Sequence, residues 1–92
     1  MNVWVWHADG PERRMLGVCA LKDEAMDACE RLFMRAAVTS AAVELSWLRF
    51  DPNLTYYEHS GYGWTASKNP ETGLVLWTAF EPASPDAATK RR

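Results

Sequence analysis

Only one stretch of this chain has the pattern of a helix with a face to bury, and the other patterned segments read as strands. Leu21, Ala25, Ala28, Cys29, Leu32, Phe33 and Ala36 recur at the spacing of a 3.6-residue period. Asp23, Glu24 and Asp27 crowd the first turns and Arg31 and Arg35 follow. That order complements the helix dipole, and Asp27 and Arg31 form an acid-before-base pair one turn apart. The spacing predicts a helix over about 22–38, although Thr39-Ser40 offer no glycine cap. A helix of about 16 residues is about 24 Å long, enough to cover one face of one small sheet.

The flanking segments supply that sheet. Asn2-Val-Trp-Val-Trp-His7 is rich in strand formers, Asp9-Gly-Pro-Glu12 is turn chemistry, and Arg14 to Ala20 returns as a second strand. After the helix, Ala42 to Phe50 alternates, with Val43, Leu45 and Trp47 on one side. Asp51-Pro52-Asn53 predicts a tight turn into a strand over Leu54 to His59. Ser60-Gly-Tyr-Gly63 predicts a break or bulge before Trp64 to Ser67. Asn69 to Gly73 is a loop, and Leu74 to Glu81 is the last strand. The expected fold is therefore α+β: a single helix packed on one face of a mostly antiparallel sheet of four to six strands, in the order ββαβββ or ββαββββ.

The patterned part ends near Pro82, giving a single domain over 1–82 and an expected disordered tail over 83–92, which has two prolines in Pro82–Arg92 and no apolar period. That tail holds one acid and three bases, so of the formal net charge of −2 the rest of the chain carries about −4. An acidic body works against a broad phosphate-binding surface. Two cysteines are few for a disulfide-stapled secreted domain. Charged residues interrupt the N-terminus before any leader-like apolar run, and no segment reaches membrane-spanning length. A cytoplasmic location, reduced thiols and no membrane association follow as expectations.

Residues able to carry chemistry are sparse. His7, His59, Cys19 and Cys29 lack the short Cys-x-x-Cys or His-x-x-x-His clips of zinc sites, so neither a metal nor another cofactor is expected. Nothing around Cys19 lowers a thiol pKa in the manner of a nucleophile. The run Glu58-His59-Ser60-Gly61-Tyr62-Gly63-Trp64 is the richest in functional groups. Its adjacent Ser and His point to opposite sides of an extended chain, and its Gly-x-Gly leads into no helix that would cradle a phosphate. A small hydrolase or cofactor-dependent enzyme therefore lacks its constellation, and the chain is expected not to be an enzyme.

The outlying component is tryptophan: Trp4, Trp6, Trp47, Trp64 and Trp77. A core of this size accommodates one or two such rings, each burying about 150–250 Å². If the helix covers the side bearing Val3, Val5, Val43 and Leu45, the other side carries Trp4, Trp6, Phe50, Tyr57 and Trp77 as an uncovered aromatic face. The opposite facing of the first strand satisfies the same pattern, with Trp4 and Trp6 in the core. The first arrangement predicts a non-catalytic interaction or regulatory module. It would bind a protein partner, or itself as a homodimer, through Trp4, Trp6, Phe50, Tyr57 and Trp77 together with the Glu58–Trp64 segment, His59 and Tyr62 in particular. The alternative is a single-stranded nucleic-acid binder that stacks bases on these aromatics and uses the Lys90-Arg91-Arg92 tail.

Overall fold

The computed structural model describes residues 1–35 and 37–82. Chain order is β1 (Asn2–Asp9), β2 (Arg14–Cys19), α1 (Lys22–Arg35), β3 (Ser40–Asp51), β4 (Leu54–Lys68) and β5 (Val75–Phe80). The strands form one antiparallel sheet in the order β2-β1-β3-β4-β5, with α1 on one face. This is the α+β arrangement the patterning predicts. The tail expected beyond Pro82 lies outside the described residues.

Local chemistry closes each turn. At the β1–β2 turn, Gly10 N–H donates to the Arg13 carbonyl at 3.0 Å. The Asp9 carboxylate there is held by the Arg14 guanidinium and by His7 Nδ1 at 2.9 Å. Burial acts to raise the Asp9 pKa, but the Arg14 hydrogen bond and the charges of His7 and Arg14 outweigh it and hold the carboxyl below its ordinary value. At the β3–β4 turn the Asp51 side chain accepts from Asn53 N–H at 3.1 Å. At the β4–β5 loop, Asn69 Oδ1 accepts from Glu71 and Thr72.

The core rests on small residues placed in register. Ala8, Ala41 and Ala66 are direct partners across β1, β3 and β4, with Met15 and Trp77 at the two ends of the same row. This alanine trough lets the helix approach the sheet closely. Ala25, Cys29 and Phe33 of α1 are buried, Cys29 and Phe33 in one cluster with the trough and Val38. Full burial of a side chain such as Phe33 contributes about 1.5–3 kcal/mol. Burial also pushes the Cys29 thiol up to about 12, the charges of Cys19 and Glu30 adding to the effect. Two polar ties fasten the helix. Lys68 Nζ donates to the Phe33 carbonyl at 3.2 Å, in the last turn, where a cation suits the dipole. Trp77 Nε1 donates to Glu30 Oε1 at 2.9 Å.

Three local expectations change. The helix ends at Arg35, short of residue 38, and Val38 is instead a buried plug ahead of β3. Leu21, expected on the buried helix face, precedes the helix and is 59% exposed. Of the two readings of residues 60–63, break or bulge, the structure has the bulge: β4 continues through them with a register shift opposite Leu45. The β1 facing is the reverse of the aromatic-out arrangement. Trp6 pairs with Val43 in the row beside the alanine trough and packs against the core. Gly17 is its partner on β2, and the Trp6 ring fills the space a side chain at Gly17 would take. Glycine is needed there for that close approach.

Val3, Val5 and His7 therefore point to the face without the helix. That bare face carries Leu16 and Val18 on edge strand β2 and Leu76 on edge strand β5, all exposed. Its middle is smaller and more polar, with His7, Ala42, Thr65 and Thr78 in one row.

Candidate binding groove

Trp4 of β1 and Tyr62 and Trp64 of β4 bring three aromatic residues to one open groove, which the end of β5 and Glu81 also line; the Phe80 ring lies across Gly63, on the face away from Trp64. The strand pairings bring them together. Trp4 lies opposite Leu45, Trp64 opposite Val43, and Ala79 opposite Trp64, so the small Ala79 leaves the indole uncrowded on its β5 side. Trp4 and Trp64 are half-buried and Tyr62 is exposed, so their rings remain accessible.

The β4 bulge sets the place of Tyr62. Gly61 has a φ of 85°, in the left-handed region that favours glycine. Its N–H donates to Glu44 Oε2 at 3.1 Å, while the Ser60 hydroxyl donates to the Leu45 carbonyl left unpaired by the register shift. Tyr62 N–H in turn donates to Ser60 Oγ at 3.0 Å. Pro82 packs against Gly61, so the chain leaving β5 closes on the bulge. From the helix, Lys22 Nζ lies 5.6 Å from the Trp64 ring centroid, a cation–π distance.

Near the bulge a serine, a histidine and a carboxylate meet, and their geometry argues against a catalytic triad. His59 Nδ1 lies 2.7 Å from Glu44 Oε1 and 3.4 Å from Ser46 Oγ, so both contacts fall on the same ring nitrogen. A triad needs the nucleophile and the acid on opposite nitrogens. Ser46 is also fully buried, out of a substrate's reach. The group ties β3 to β4. Among the described residues no three metal-ligating side chains converge, both cysteines are free, and no helix is long and apolar enough to cross a membrane.

Beyond Trp47, β3 loses its pairing with β1, and before Gly63 β4 has no pairing with β5. Residues 48–57 are thus a two-stranded arm. Phe50, Leu54, Tyr56 and Tyr57 are exposed on it, Phe50 at 68%. At its base the Arg49 guanidinium sits 5.8 Å from the Trp47 ring centroid, and its Nε donates to Glu58 Oε2 at 2.9 Å.

The residues expected to form one binding face fall into three places. Trp6 and Trp77 border the core under the helix. Trp4 and Tyr62 meet in the groove. Phe50 and Tyr57 lie on the arm, and His59 at its base lies beside Glu44. Sequence reasoning reaches Trp64 only as the end of the Glu58–Trp64 segment and does not single out Phe80 or Glu81. The alternation through Tyr62-Gly63-Trp64 is the signal that would have joined Trp64 to Tyr62, whereas Phe80 and Glu81 depend on a β4–β5 register that alternation alone does not set. Compared with known proteins, the chain matches no protein-family model, no curated protein and no solved structure.

Proposed function

We propose that this chain is a non-catalytic binding module that engages a protein partner through the aromatic groove formed by Trp4, Tyr62 and Trp64. The observation that carries this reading is the convergence of three accessible rings from two strands that are not neighbours in the sheet. Aromatic side chains are the usual anchors of protein interfaces because each offers a large rigid surface at little entropic cost. The exposed aromatics of the 48–57 arm extend the available surface on the same molecule. Charge favours a protein over a nucleic acid: Glu81 borders the groove, and the arm and its base carry Asp51 and Glu58 against Arg49.

The test is affinity capture from host extract with the full chain and its Tyr62→Ala and Trp64→Ala variants, each checked by circular dichroism. The expected result is a defined protein retained by the wild type after nuclease treatment and lost by both folded variants. Capture abolished by nuclease, or capture unchanged in both variants, would overturn the reading.

A further inference from the structure

We infer that the 48–57 arm pairs with the same arm of a second copy of this chain, edge to edge along β4. The sheet has an open place there. β4 runs from Leu54 to Lys68, but β5 pairs only with its residues 63–68. Among the described residues, no strand lies against 54–60 on the side away from β3. Every residue from Leu54 to His59 is exposed, the apolar Leu54, Tyr56 and Tyr57 included. A ribbon of two strands is marginal in water by itself. This edge has neither proline nor lysine to discourage another strand, and Thr55, Tyr56 and Tyr57 are strong strand formers. The open place is about 24 Å long. Pro82 against Gly61 closes one end, and the turn after Asp51 closes the other.

The edge is complementary to itself. A two-fold axis sets the strand antiparallel to its copy. With Tyr57 on the axis, Leu54 falls opposite Ser60 of the second copy. Each turn then stops where the other copy's Pro82 begins, and the two open places fill each other. On one face Tyr57 meets its own copy, with Thr55 opposite His59 to either side. On the other face Tyr56 lies opposite Glu58, a phenol donor against a carboxylate acceptor. The neighbouring registers fit less well. An axis at Glu58 sets two carboxylates against each other, and an axis at Tyr56 sets each Glu58 against Leu54. A second copy also satisfies the open backbone groups of both arms at once, whereas an unrelated peptide would satisfy those of one. This contact is separate from the groove at Trp4, Tyr62 and Trp64 and does not depend on it.

The experiment is sedimentation velocity of the full chain from about 5 µM to about 1 mM, because an edge of this length buries less than a standard stable interface and implies a weak dimer. Self-association is expected within that range. Amide deuterium uptake is followed at both ends of it. In the dilute chain the edge is open. With rising concentration uptake should slow at Tyr56 and Glu58 and stay the same at Ala66, which already lies between β3 and β5. Tyr57→Lys and Tyr57→Glu each bring like charges together on the axis and should weaken association about tenfold or more. Mixing the two variants in equal amounts should restore it, since only the mixed dimer brings opposite charges together there. Tyr62→Ala, in the groove, should associate as the wild type does.

A monomer throughout the range would overturn the inference. So would association that leaves uptake at Tyr56 and Glu58 unchanged, or a mixture that associates no more tightly than either variant alone. Association lost in a folded Tyr62→Ala would move the contact to the groove and sink the arm pairing. If the charged variants fail to fold by circular dichroism, the concentration dependence of wild-type uptake still decides. Partner capture reads the groove separately, so the two readings can fail one without the other.

Discussion

Under the helix, the row that runs Met15, Ala8, Ala41, Ala66 and Trp77 has small residues in the middle and large ones at its ends. On the opposite face the neighbouring row runs Leu16, His7, Ala42, Thr65 and Thr78, and Leu76 stands one row further along the same edge. Both faces therefore carry apolar groups toward the edges and small ones in the middle. On the helix side the small centre is filled by Cys29 and Phe33. On the bare side Leu16 and Leu76 stay 70% and 68% exposed. Apolar content alone does not make a core. A face becomes one when a second element brings complementary volume to it.

The sharpest way to break that contrast is to remove the complementary volume. Phe33→Ala should cost about 3–5 kcal/mol in urea denaturation, as truncation of a fully buried aromatic does. A loss below about 1 kcal/mol would mean that the helix is not the cover that defines the core.

A smaller effect is expected at the β1–β2 turn, where electrostatics rather than volume holds the end of the sheet. Because the folded Asp9 carboxyl sits below its ordinary value of 3.8, the folded state binds fewer protons there than the unfolded state. Its contribution is complete above that ordinary value and is lost as pH falls through the folded pKa. Asp9→Asn should therefore flatten the acid limb of the stability profile below about pH 4. Thermal melts from pH 2 to 7 check this, and an unchanged acid limb would show that Arg14 and His7 give no net protection.

The smallest effect belongs to the bare face. Leu16→Thr and Leu76→Thr should each change stability by less than about 0.5 kcal/mol, since neither side chain leaves water on folding. A loss of 2 kcal/mol or more for either, by roughly the criterion of a buried side chain, would show that something covers this face in solution. Sedimentation velocity of the wild type would then distinguish a second copy of the chain.

How much of this was legible in the residues follows from which interactions are local. The helix could be read from Ala25, Cys29, Leu32 and Phe33 because its period lies within one segment. The Asp51-Pro52-Asn53 turn was equally plain, since its side-chain hydrogen bond spans two residues. The facing of β1 was not, because Val and Trp alternate and either set is apolar enough to be inside. What decides it is the pairing of Trp6 with Gly17, a glycine in β2 that leaves room for an indole. The alanine trough was hidden for the same reason: Ala8, Ala41 and Ala66 become one feature only when three strands are in register. The groove lay further out of reach, since it joins Trp4 to Glu81 across almost the whole described chain.

The division of β4 between two partners has a kinetic consequence. Its residues 63–68 are hydrogen-bonded between β3 and β5, whereas 54–57 touch β3 alone, beyond the end of β1. Opening the outer segment breaks one ladder and exposes few buried groups, so it needs far less free energy than opening the inner one. Amide deuterium uptake should thus run as a gradient along a single strand, fast near Tyr56 and slow near Ala66, with the step at Gly61. The aromatic tip of the arm then samples open geometries while the groove, on the slow side of that step, keeps its shape.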